Sequence, residues 1–126
     1  MAFEYISAGK IDYYVNQSNA VIVDLRSSAD YNRGHILNSV NVPYNNMEKY
    51  FDKLDANVGA YRGRVRGNSE INIGGVKADK NTIIVFYCER GSLSLAISSK
   101  MAKLGFNVKS VVGGIRQYRG RYLEKK

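Results

Sequence analysis

The chain's single cysteine, Cys88, stands where the apolar run IIVFY (83–87) meets the segment CERGSLS (88–94). Cysteine is common as a small buried hydrophobe, and such a residue normally lies inside an element. One placed where a strand hands over to a helix is aimed at something. Backbone N–H groups from Glu89 to Ser94 can curl around its sulfur, and the helix N-terminus beyond adds partial positive charge. Both stabilise an anion at that point. A thiolate is the nucleophilic form of cysteine, so these surroundings favour reaction. Gly91 permits backbone geometry that a side chain would obstruct. Arg90 adds a full positive charge, which Glu89 partly opposes. The segment thus offers a nucleophile together with a cradle for an anionic group attached to it.

The rest of the composition limits what that nucleophile can work with. One cysteine in 126 residues forms no internal disulfide, no CxxC redox pair and no zinc site. His35 is the one histidine, which argues against a zinc site or a Cys–His–Asp constellation. The length suits one domain with one core, spanning 1–126. A hydrophobic content of 44% with 24% charged residues fits an ordinary globular protein. No apolar run approaches the roughly 20 residues of a membrane span. The start, MAFEYISAGK, lacks a basic stretch followed by an apolar one, so a reduced, cytoplasmic protein is expected. The net charge of +8 attracts anions of every kind and identifies only the sign of a partner.

Three β-branched runs must position the cysteine: AVIVDL (20–25), TIIVFY (82–87) and NVKSVV (107–112). None alternates strictly with polar residues, so they read as strands buried on both faces of a parallel sheet. Between the last two, Leu93, Ala96, Ile97, Met101 and Leu104 recur at helical spacing, with Ser98, Ser99, Lys100 and Lys103 on other faces. Ser92 or Ser94 is the expected cap of this helix, and Gly105 its stop. Upstream, a short strand over 3–6 precedes a helix capped by Ser7, with Ile11, Tyr14 and Val15 as its stripe. VNV (40–42) suggests another short strand, and 44–57 a helix carrying Met47, Tyr50, Phe51 and Leu54. The alternation of strands and helices places the chain in the α/β class. A Gly/Arg-rich segment, 58–81, interrupts the pattern, with Arg62, Arg64 and Arg66 on alternate positions. Its Ile73-Gly74-Gly75-Val76 suits either a two-residue hairpin turn or a loop.

Taken together these segments resemble the rhodanese family of sulfurtransferases. CERGSLS after IIVFY is similar to the family's active-site loop. VIVDLRSSADYNRGHILNSVNVPY (21–44) resembles its first signature, with Asp24, Arg26, Asp30, Tyr31, Gly34, His35, Ile36 and Pro43 in matching places. VKSVVGGIRQYRG (108–120) looks like the closing strand and double-glycine turn, with Tyr118 where an aromatic is usual. The likeness covers nearly the whole chain except 58–81. It implies a five-stranded parallel sheet flanked by helices, with Cys88 in a shallow pocket. It also implies that the Cys88 thiolate takes the outer sulfur of thiosulfate or a persulfide and passes it to cyanide or a thiol. Glu89, Arg90, Gly91, Ser92, Leu93 and Ser94 would form the substrate-binding loop, without metal or organic cofactor. Arg90 is the side chain expected to give most electrostatic help. Asp24 and Arg26 are expected to form a structural network beside the site, and His35 a structural turn.

This chain departs from the pattern at Leu93, where thiosulfate-using members often carry a basic or hydroxylated residue. Cys-loop phosphatases and arsenate reductases are a second class with similar anion loops. Phosphatases need an arginine six positions after the cysteine, where this chain has Ser94, and arsenate reduction usually recruits a second thiol. A third class is a non-catalytic docking or regulatory module, binding a protein or anionic partner through YRGRVRG (61–67) and QYRGRYLEKK (117–126). The intact cysteine favours sulfur transfer, with a small anionic sulfur donor, a thiol or cyanide acceptor and a sulfur-accepting protein as the expected partners. Neither membrane nor nucleic acid is expected among them.

Overall fold

The β-branched runs do become strands; the first two are buried on both faces, and the strand formed by the third, Asn107–Val111, is buried except at Asn107, which is exposed, and Lys109, which is partly buried. The computed structural model describes residues 3–50 and 70–124. In chain order its elements are β1 (Glu4–Ile6), a 3-10 turn Ala8–Lys10 leading into α1 (Ile11–Tyr14), β2 (Ala20–Asp24), α2 (Ser28–Arg33), β3 (His35–Ile36) and β4 (Val40–Asn41). A helix follows, α3, described over residues 44–50. Then come β5 (Ile71–Ile73), β6 (Val76–Ala78), β7 (Ile83–Tyr87), α4 (Ser92–Lys103), β8 (Asn107–Val111), a 3-10 turn Gly114–Gln117 and β9 (Leu123–Glu124).

Five strands form one sheet in the order β1-β8-β7-β2-β4, every neighbouring pair parallel. The fold is therefore α/β, as the alternation of strands and helices suggests, with the five-stranded parallel sheet that the family resemblance implies. Side chains of β7 alternate between two packed layers. Ile84, Phe86 and the following Cys88 join Val23, Met47, Ile97 and Met101 on one face. Val85 and Tyr87 join Ile11, Val15, Ile22 and Tyr118 on the other. Each large side chain taken wholly out of water contributes about 1.5–3 kcal/mol, so both layers are needed for stability.

Helix α4 forms where its sequence predicts, yet its buried face is rotated. Ser94, Ile97, Ser98, Met101 and Ala102 are buried, whereas Leu93 is 39% exposed. Neither Ser92 nor Ser94 caps it. Gly91 is the N-cap residue, and the Ser94 hydroxyl donates to the Gly91 carbonyl at 3.0 Å. The C-terminus closes as expected at Gly105: the amides of Gly105 and Phe106 bond back to the carbonyls of Ala102 and Met101. Ser7 precedes the first 3-10 turn, but its side chain makes no capping hydrogen bond.

The later half of the Gly/Arg-rich segment is a hairpin. β5 and β6 pair antiparallel around Gly74-Gly75, and Ile71, Ile73 and Ala78 pack into the layer that holds Cys88. Phe51, Leu54, Arg62, Arg64 and Arg66 lie outside the described residues. Among the described residues, no helix is long and apolar enough to cross a membrane.

Candidate active site

Strands β2 and β7 run side by side and end together, with Asp24 opposite Tyr87. The ladder continues one step further, the Leu25 amide donating to the Tyr87 carbonyl at 2.9 Å. Leu25-Arg26 and Cys88-Glu89 therefore leave the sheet together at its carboxyl edge, where open α/β sheets bind ligands. Cys88 is 2% exposed, and the Gly91 amide donates to its Sγ at 3.1 Å.

A second segment bends the loop. The amides of Ile115 and Arg116 donate to the carbonyls of Cys88 and Glu89 at 2.9 and 3.2 Å. In a planar trans peptide the carbonyl and the following N–H point opposite ways. Holding these two carbonyls against the turn after β8 therefore directs the Glu89 and Arg90 amides away from it. The Gly91 carbonyl is also occupied, by the Leu95 amide at 3.1 Å and the Ser94 hydroxyl. Close contact makes the glycines necessary. A Cβ on Gly114 would sit 2.4 Å from the Glu89 oxygen and 2.5 Å from that of Cys88. Gly91 has φ +106°, and a Cβ there would meet the Gly113 nitrogen at 3.0 Å.

Charges around the loop are paired internally. Arg26 holds the fully buried Asp24 through Nε and Nη2, at 3.2 and 2.8 Å to Oδ2, and donates to the Gly34 carbonyl at 2.6 Å. Burial alone would lower the Arg26 pKa, but the hydrogen bonds and charge of Asp24 outweigh it and leave it raised. Glu89 reaches across from the loop, 2.9 Å from Arg116 Nε and 3.7 Å from Arg26. Tyr87 packs beneath, its hydroxyl accepting from the Ile36 amide at 3.1 Å. Burial, followed by the charge of Asp24, pushes its pKa far above the usual tyrosine value.

The remaining residues singled out in the sequence take distinct places. Asp24 and Arg26 form the expected network. His35 stacks on Tyr31 with ring centres 3.7 Å apart, its Nδ1 2.7 Å from the Tyr31 carbonyl and its Nε2 3.3 Å from Glu124. Both imidazole nitrogens are thus occupied within the fold. Asp30 pairs with Arg33. Leu93 joins Leu25, Arg26, Pro43, Tyr44 and Glu89 around a depression of about 430 Å³ on the Cys88 side of the sheet. Arg90 and Ser92 lie on a different depression, of about 220 Å³, with Tyr5, Leu95 and Val112. Arg116 and Ser110 were not signalled by the sequence as site residues. Arg116 follows the double glycine closely, and only its charge opposite to Glu89 hints at the pairing. Ser110 binds Ser94, their hydroxyls 3.1 Å apart beneath the loop.

A parallel α/β sheet that delivers a cysteine into a backbone-lined loop at its carboxyl edge is the arrangement that the resemblance to the rhodanese family implies. The match is specific: the family model for the rhodanese-like domain fits residues 7–121, and the chain belongs to that family. Solved structures agree on the fold. A Staphylococcus saprophyticus protein superposes with a TM-score of 0.66 at 18% identity, covering 97% of this chain and 99% of the other. A rhodanese-like domain protein from Staphylococcus aureus gives 0.62 at 19% identity, over 98% and 99%. Among curated proteins, the tRNA uridine(34) hydroxylase of Buchnera aphidicola subsp. Baizongia pistaciae is 28% identical over 90% of this chain and 31% of its own length. The enzyme of the same name from Escherichia coli K12 is 25% identical over 91% and 28%. The chain thus spans about a third of the curated relatives it matches along its length.

Proposed function

We propose that the protein is a cytoplasmic sulfurtransferase in which Cys88 carries sulfur as a persulfide. The Cys88 thiolate attacks the outer sulfur of thiosulfate, the S–S bond of the donor breaks, and sulfite leaves with the bonding pair. With a persulfide donor the leaving group is the donor's thiolate. An acceptor nucleophile, cyanide or a thiol, then attacks the outer sulfur of Cys88–S–S⁻ and regenerates the thiolate. Stabilising charge comes from backbone amides fixed before reaction, as in an oxyanion hole.

The observation that carries this reading is the amide of Gly91 on Sγ at 3.1 Å, in a loop whose Cys88, Glu89 and Gly91 carbonyls are bonded elsewhere. A cysteine kept only for packing needs no such arrangement. In this reading the backbone of the loop from Glu89 to Ser94 lines the substrate and Asp24, Arg26 and His35 hold the frame, while the Arg90 side chain, expected as the chief electrostatic aid, lies on the separate depression with Tyr5 and Val112. The curated relatives are named for a reaction on tRNA, but they share about a third of their length with this chain, and that activity is not carried over. The acceptor is a small thiol or a cysteine presented by another protein.

Thiocyanate formation from cyanide tests the reading. The wild-type protein, supplied with thiosulfate or cysteine persulfide, is expected to release thiocyanate over many turnovers. Cys88→Ser is expected to release none above the uncatalysed background. Equal release from both proteins would overturn the assignment.

A further inference from the structure

We propose that Glu89 sets the donor preference of the Cys88 site, disfavouring small dianions such as thiosulfate relative to persulfides of low charge. This inference rests on the sulfur-transfer reading above. The Glu89 carboxylate belongs to the residue next to Cys88 and is 46% exposed. It lines two depressions at once, one with Leu25, Pro43, Tyr44 and Leu93, the other with Arg33, Ile115 and Arg116; Arg26 and Asp30 line both. Every arginine on these two depressions already has a carboxylate partner. Arg26 holds Asp24, Arg33 holds Asp30, and Arg116 holds Glu89. Despite a chain charge of +8, an arriving dianion meets guanidiniums that are each already paired, and two partly exposed carboxylates among their partners, Glu89 at 46% and Asp30 at 36%, of which Glu89 is the one next to Cys88. Leu93 adds no polar contact on the Cys88 side.

Loading from either donor is the same displacement at Cys88. Thiosulfate gives the Cys88 persulfide and sulfite; cysteine persulfide gives the Cys88 persulfide and cysteine. The donors differ in the charge they bring to the depressions beside Glu89, and that charge is what Glu89 opposes. Replacing it by glutamine keeps an oxygen that can accept from Arg116 while leaving the guanidinium charge uncompensated.

The test measures second-order rates of sulfur loading from thiosulfate and from cysteine persulfide, for the wild type, Glu89→Gln and Arg116→Gln. Circular dichroism serves as the check on folding. The thiosulfate-to-persulfide ratio is expected to rise about tenfold in Glu89→Gln. It is expected to fall in Arg116→Gln, where Glu89 loses the nearer of its two arginines. The gain in Glu89→Gln is expected to shrink at 1 M salt, where the screening length is about 3 Å. A merely structural role for Glu89 would change both donors alike and show no such salt dependence. A wild type that loads from persulfide, with a ratio unmoved in both variants, would overturn the inference alone. A wild type that loads from neither donor would overturn the sulfur-transfer reading and the inference with it.

Discussion

The backbone amide of Ile115 donates to the carbonyl of Cys88 at 2.9 Å, so the turn after β8 fixes the residue that follows β7. The same turn holds Glu89 through its carbonyl and, by Arg116, through its side chain. Loop geometry at Cys88 is thereby set by a segment more than twenty residues away.

Gly114→Ala is expected to break this connection. Its Cβ would overlap two carbonyl oxygens, at a position with φ +66° that already disfavours a side chain. A loss of about 2–4 kcal/mol is expected, together with most sulfur loading. Urea unfolding and the rate of loading measure the two effects.

Arg26→Met leaves the fully buried Asp24 without its cation. Removing one partner of a buried pair costs about 3–5 kcal/mol, more than replacing both by apolar residues. The double variant Asp24→Leu/Arg26→Met is therefore expected to regain part of that loss, and a double-mutant cycle in urea measures it.

Tyr118 links stability to alkaline pH. Burial, together with donation to Asp12 at 2.6 Å, raises its pKa to about 12. An unfolded tyrosine titrates near 10. The folded state thus favours the protonated form, a contribution present in full below pH 10 and lost as pH rises from 10 to 12. Tyr118→Phe should be less stable at neutral pH. Its stability should also fall less steeply over that window, by about 2 kcal/mol in all. Chemical denaturation at intervals from pH 8 to 12 gives both slopes; parallel slopes would contradict the assignment.

Ser98 Oγ is buried without a hydrogen-bond partner among the described residues. Ser98→Ala removes an unsatisfied polar group and is expected to raise stability by about 1 kcal/mol. A shift of the urea midpoint to higher concentration checks it.

These serines show where the sequence stops being informative. Hydrophobic spacing located α4 but put Leu93 in its buried stripe and Ser98 outside it. The spacing rule counts only apolar residues, whereas Ser94 is buried by satisfying its hydroxyl on Gly91 and Ser110. β2 and β7 were legible because burial on both faces leaves them almost without polar residues, and β8, which carries Asn107, Lys109 and Ser110, because its valines are β-branched and it follows the stop of α4. Cys88, Asp24 and Arg26 were legible because they sit at strand ends within recognisable segments. The pairing of Glu89 with Arg116 was not, because only the parallel crossover from β7 to β8 brings them together. The pairing of His35 with Glu124 similarly depends on β3 meeting β9, two strands of two residues each with no periodicity to read.

The most direct test of the central claim is the intact mass of the protein after incubation with thiosulfate and, separately, with cysteine persulfide. Wild type and Cys88→Ser are compared. The expected result is a gain of one sulfur atom that requires Cys88 and is removed by cyanide. No gain from either donor, or a gain that persists in Cys88→Ser, would contradict it.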